Sequence, residues 1–202
     1  MDISISKDNR VVVSHEPFMN PIICFNSNGD EIPEEDAMSY NLYAMDYEEI
    51  KKYDCGTKVY PTFPDQKNQK TFKPLLSDVF QLVDHLLTGN LKQYAKILRS
   101  LELEGSESSL VLWAILREIN SLLTIAYEKH SGKPLSDIFK ALRIWQSKQQ
   151  IILRYFQQNK IYSLYAALQF ASDVEKTIKG LNDGQPWQML LKLGLILNGK
   201  KL

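Results

Sequence analysis

The chain lacks several signals that would settle its class quickly. No apolar run reaches the ~18 residues that suggest a membrane span. The N-terminal stretch MDISISKDNR has no basic region followed by an apolar one, unlike a secretory leader. No Gly-x-x-x-x-Gly-Lys-Ser/Thr occurs, so nucleotide hydrolysis has no support. Cysteine is scarce: Cys24 and Cys55 form no metal-type spacing and are expected to be two free thiols. The chain is expected to be cytoplasmic, with no membrane partner. Net charge is also lacking, with 24 Lys/Arg against 24 Asp/Glu. That zero is a cancellation. Residues 1–76 hold 8 Lys/Arg and 13 Asp/Glu, a net of −5, and residues 77–202 hold 16 and 11, a net of +5. Function therefore has to be read half by half.

From Ser77 onward the sequence is a succession of amphipathic helices. Ser77 is placed to cap one with Val79, Leu82, Val83, Leu86 and Leu87 on a single face. Gly89 ends it, and Asn90 caps the next, carrying Tyr94, Leu98 and Leu101. Gly105 closes that helix, and a long one follows from about Ser108 to His130. Gly132-Lys133-Pro134 breaks the chain, Ser136 caps a short helix with Ile138 and Phe139, and Trp145 lies near its end. Further helices run through Ile151–Phe156 and Ser163–Lys179, and Pro186 suits the first turn of a last one. Short loops between such helices imply a compact all-α bundle spanning 77–202. Its leucine and aromatic stripes are expected to be core, Trp113 and Trp187 included.

Residues 1–76 are of another kind. Ile3 and Ile5 alternate with polar neighbours, Asp8-Asn9 supplies a turn, and Val11-Val12-Val13 follows, which predicts two short strands. Pro17 ends the second. Residues 20–40, with Pro21, Asn28-Gly29, Pro33 and an acidic run, suggest a surface excursion. Asp46–Tyr53 predicts a short helix. Two strands with an exposed edge imply a segment without a core of its own.

Chemistry is scarce. Asp2 and His15, at neighbouring strands, could serve as a metal ligand and a general acid/base, although two residues do not make a constellation. His85 and His130 have no Cys or carboxylate partner at ligand spacing. Arg143, Lys148 and Arg154 surround Trp145 and could touch an acidic partner or a phosphate. The +5 charge of this half offers no concentrated basic stripe for DNA.

Asp2-Ile-Ser-Ile-Ser-Lys-Asp-Asn-Arg-Val-Val-Val-Ser-His15-Glu-Pro resembles the second strand and loop of glycerophosphodiester phosphodiesterases, TIM-barrel enzymes using a divalent metal. Asp46-Tyr-Glu-Glu-Ile-Lys, Tyr60-Pro-Thr-Phe-Pro and Lys70-Thr-Phe-Lys-Pro-Leu-Leu-Ser extend that resemblance to about residue 77. It implies Asp2 as a metal ligand (calcium or magnesium) and His15 as a catalytic histidine. The family's His-Arg-Gly segment, the glutamate two positions before Asp2 and the later barrel strands are not in the chain. The site is thus expected to be vestigial, since a closed barrel takes roughly 200–250 residues.

Ser77-Asp-Val-Phe-Gln-Leu-Val-Asp-His-Leu-Leu-Thr-Gly-Asn, Leu98-Arg-Ser-Leu-Glu-Leu-Glu-Gly105, Leu112-Trp-Ala-Ile-Leu-Arg-Glu-Ile119 and Ile144-Trp145 resemble another family in order. Asp173-Val-Glu-Lys-Thr-Ile-Lys-Gly180 and Pro186-Trp-Gln-Met-Leu-Leu-Lys-Leu193 continue it. That family is the delta subunit of bacterial DNA polymerase III, and the resemblance is to its C-terminal helical collar. It implies a clamp-loader assembly domain bound to gamma/tau and delta-prime subunits, meeting DNA only indirectly, with no cofactor. Exposed residues near Arg143 and Arg154 are the candidates for the partner interface. The whole reads as mainly α: an incomplete barrel fragment, 1–76, joined between residues 73 and 80 to a collar-type bundle, 77–202, as an apparent chimera.

Overall fold

The computed structural model describes residues 3–59, 70–103 and 106–200. Among them the chain is mainly helical, with one small two-stranded antiparallel sheet. Contacts divide it into two compact units: Met1–Asp78 with Ser100–Glu107, and Val79–Arg99 with Ser108–Leu202.

In the first unit, β1 (Ile3–Ile5) pairs with β2 (Val11–Val13) in the register Ile3 to Val13 and Ile5 to Val11. The turn between them needs a left-handed residue, and Asn9, at φ 60°, supplies it. The Asp8 carboxylate accepts from the Ser6 hydroxyl and from the Tyr47 amide, and these bonds hold its pKa below the usual carboxylate value. The other edge of β2 is occupied as well: Val12 bridges Leu75, and the Val13 amide donates to the Pro74 carbonyl at 2.9 Å.

The expectation that this segment has no core is overturned. Val12, Met19, Cys24, Ile32, Leu42, Met45, Tyr47, Ile50, Tyr53 and Leu75 form one buried cluster. The 20–40 stretch contributes to it through Cys24 and Ile32, and so is only partly a surface excursion. Periodicity could not reveal this core, because its members come from β2, from turns and loops, from the 3-10 segment Leu42–Ala44 and from the four-residue helix α1 (Tyr47–Ile50). Asn41 caps that 3-10 segment by accepting from the Tyr43 amide at 2.9 Å.

The free-thiol expectation is corrected too: Cys24 and Cys55 are joined as a disulfide across 31 residues of sequence. An isolated antiparallel bridge between Phe25 and Asp54 sets the two cysteines opposite each other. Nothing in a local pattern announces a pairing of that kind.

Helix α2 (Leu76–Leu87) starts one residue earlier than its expected Ser77 cap, and the Ser77 hydroxyl lies instead against Asp78. It ends as foreseen: Gly89 takes φ 72°, a left-handed conformation that costs glycine little. Asn90 then caps α3 (Leu91–Leu103), its side-chain oxygen accepting from the Gln93 amide at 3.2 Å.

The second unit is organised by α4 (Ser108–His130), which packs on α5 (Leu135–Ala141), α7 (Ile161–Ile178) and α8 (Pro186–Leu197). Between α5 and α7 lies α6 (Gln146–Gln158), whose Ile152 and Tyr155 are buried. Helix α7 in turn packs along α8. Ile115, Ile119, Leu122 and Ile125 of α4 are fully buried, each worth roughly 1.5–3 kcal/mol relative to exposure. By length and composition α4 could cross a membrane, but half of its apolar window is buried inside the protein. The central helix of a bundle has that character.

Two further expectations fail. Ser136 does not cap α5, whose N-cap position is Pro134. Trp113 is not core: it is 41% exposed, while Trp187 is half-buried. Trp113 falls on the outer side of α4, away from the row through Leu112, Ile115, Ile119 and Leu122.

Candidate partner interface

The corner between α5 and α6 is the most distinctive surface of the helical unit. Helix α5 ends at Ala141, and two residues later Arg143 turns the chain at φ 53°. A non-glycine residue held there is uncommon. The following Trp145 occupies the N-cap of α6 and is 83% exposed. An indole left so bare beside a cation suits contact better than core packing.

Lys148, in the first turn of α6, braces this corner. Its ammonium lies 2.8 Å from Glu118 Oε2 on α4 and 3.5 Å from Asp84 Oδ1 on α2. Glu118 is buried, so its carboxylate needs that partner. Arg117, the neighbour of Glu118 on α4, stacks its guanidinium over the Phe80 ring at 5.5 Å and the Trp113 ring at 5.7 Å. Arg117, Arg143, Trp145 and Lys148 all border one cleft of about 360 Å³.

Of the expected interface residues, Arg143 belongs to this cleft and Arg154 does not. Arg154 is exposed on α6 and borders a different cleft of about 280 Å³, with Thr88, Ile151 and Gln157. The structure therefore places the two arginines on separate openings. Glu118, Asp84 and Arg117 were missed by sequence reasoning. For Glu118 a signal existed: it is a lone acid in the row of Val111, Ala114, Ile115 and Leu122, where an apolar residue is expected.

The other sequence candidates are scattered. Asp2 and the segment Tyr60-Pro-Thr-Phe-Pro lie outside the described residues. His15 is exposed, with Nδ1 3.4 Å from Glu16 Oε1. At the preceding residue, Ser14 Oγ accepts from Nζ of the buried Lys73 at 2.7 Å. Burial pulls the Lys73 pKa down, and the Glu16 carboxylate partly offsets that. His85 sits half-buried in the last turn of α2, and His130 is exposed at the end of α4, bordering a cleft with Lys129 and Phe156. Among the described residues no group of three or more His, Cys, Asp or Glu side chains is placed to hold a metal ion.

Residues 79–202, which contain this corner and every helix from α3 to α8, match the family described as processivity clamp loader gamma complex DNA pol III C-term. The chain belongs to that family. It is 32% identical over 124 residues to DNA polymerase III subunit delta of Escherichia coli strain K12, a stretch covering 61% of this chain and 36% of the relative. It is 26% identical over 124 residues to the subunit delta of Haemophilus influenzae, covering 57% of this chain and again 36% of the relative. The chain thus spans little more than a third of the length of these relatives. The match starts at Val79, three residues into α2.

Proposed function

We propose that residues 77–202 are a delta-type clamp-loader assembly domain, acting in DNA replication through protein–protein contact and without catalysis of their own. The observation that carries this reading is the family match across the whole helical unit. The partners are the helical domains of gamma/tau and delta-prime subunits, with DNA engaged only through the assembled complex and no membrane involved. Arg143 and Arg154 lie at the partner interface in this reading, which their exposure on α6 and the turn before it supports. The domain works in the cytoplasm, needs no cofactor and folds independently of residues 1–76. Contacts of this kind are broad, helix on helix, and weakly salt-dependent. Mixing the chain with purified gamma/tau and delta-prime subunits and following co-elution tests this. Stable co-elution at both low and moderate salt is expected. Failure to associate, combined with tight salt-sensitive binding to primed DNA, would overturn it.

Residues 1–76, in the same reading, are a phosphodiesterase-like remnant without activity, joined to the collar between residues 73 and 80. The exposure of His15, with Glu16 as its neighbour, supports inactivity. Incubation with a glycerophosphodiester and calcium or magnesium should release no glycerol 3-phosphate. Release that disappears in His15→Ala would restore the enzymatic alternative.

A further inference from the structure

The 20–32 loop of the first unit is tied to the 53–58 segment by few links. One is the Phe25 amide donating to the Asp54 carbonyl at 2.7 Å. Lys58 supplies others: its Nζ donates to the Pro21 carbonyl at 2.7 Å, lies 3.6 Å from Glu31 and sits 5.5 Å from the Phe25 ring centroid. The remaining link is covalent, the Cys24–Cys55 disulfide. Within the loop the Asn26 side chain accepts from the Asn28 and Asp30 amides at 2.9 Å, and Cys24 and Ile32 pack in the apolar cluster.

We propose that the Cys24–Cys55 disulfide is a redox clasp, closed by oxidation and opened by a dithiol reductant, that sets whether the 20–32 loop stays fastened to the 53–58 segment. The two sulfurs are not equivalent. Cys24 is fully buried in the cluster with Met19 and Ile32, whereas Cys55 is only partly buried. A reductant thiolate therefore attacks Cys55 Sγ. The S–S bond breaks, Cys24 leaves as a thiolate and takes up a proton. The reductant's second thiol then displaces Cys55 from the mixed disulfide. The protein gains two thiols, and the reductant ends as a disulfide.

Opening removes the one disulfide link and leaves a backbone bond, the Lys58 contacts and the apolar packing of Cys24 and Ile32 against Tyr53 to hold a loop closed over 31 residues. The cluster around Leu42, Ile50 and Leu75 keeps its apolar burial, so the response is local. The device is confined to the first unit.

The test is hydrogen exchange by mass spectrometry on the full chain, air-oxidised and with dithiothreitol, alongside alkylation under denaturing conditions. Before reduction neither cysteine should alkylate; after it both should. Reduction should speed exchange across 23–30 by roughly tenfold or more while leaving α7 unchanged. The double variant Cys24→Ser/Cys55→Ser should exchange fast there with or without reductant. Two alkylatable thiols in the oxidised protein, or exchange across 23–30 indifferent to reductant, would overturn the proposal.

Discussion

Tyr94 of α3 lies against Gly194 of α8, so closely that a Cβ on the glycine would stand 2.7 Å from the ring's Cζ. The same phenol donates to the Leu190 carbonyl at 2.6 Å across 96 residues of sequence. Glycine inside a helix ordinarily costs about 1 kcal/mol relative to alanine. Here the close approach of the ring outweighs that cost, since Tyr94 is fully buried and Gly194 is buried too. Gly194→Ala should lower stability by about 1–3 kcal/mol, the range for overpacking, as read by chemical denaturation. An unchanged or raised midpoint would mean that the Tyr94 ring does not press on Gly194.

Alkali should unfold the helical unit. Burial raises the Tyr94 phenol well above its usual value and pushes Tyr155 up to about 12. Tyr155 donates to the Leu197 carbonyl at 2.8 Å. With folded pKa values raised, stability is intact below about 10, where the unfolded phenols ionise, and falls as pH rises towards the folded values. Each tyrosine contributes a loss of about 1.4 kcal/mol per pH unit in that window. Denaturation midpoints between pH 9 and 12 check this, and Tyr94→Phe and Tyr155→Phe should each flatten the slope.

Lys148→Ala should destabilise the unit by about 2 kcal/mol, because it strands the buried Glu118 carboxylate. Pairing the change with Glu118→Gln should recover much of the loss, as a neutral amide costs less to bury alone. Equal stability of the single and double variants would show that the brace contributes nothing.

Trp113→Ala should cost no more than about 1 kcal/mol, since the ring is 41% exposed and lies under the Arg117 guanidinium. Ile119→Ala should cost about 2–5 kcal/mol by opening a cavity in the centre of α4. Thermal melts of the two variants separate these outcomes, and a larger loss at Trp113 would contradict its surface placement.

These contrasts show which parts of the molecule the sequence made legible. Helix α4 was readable from Ser108 to His130 because its buried positions recur at helical spacing, and Gly89, Asn90 and Pro186 marked helix ends by backbone chemistry alone. The periodicity that found α4 did not decide which tryptophan faced inward, since Trp113 adjoins the buried Leu112. The core of residues 12–75 was invisible, because Met19, Cys24, Leu42 and Leu75 meet through isolated bridges and turns with no repeat linking them. The site was half legible: Arg143 and Lys148 stood out beside Trp145, but the brace depends on Asp84, Glu118 and Lys148 coming from three helices. A sequence gives no distance between such positions.

Displacement is the most direct test of the clamp-loader assignment. A loader reconstituted from delta, delta-prime and gamma/tau subunits would be titrated with the intact chain, and bound delta would be measured after separation. A delta-type C-terminal domain should compete, displacing full-length delta in a saturable manner, with competition weakened by charge reversal at Arg143 or Arg154. Delta retained in full at a large excess of a chain shown to be folded would contradict the assignment.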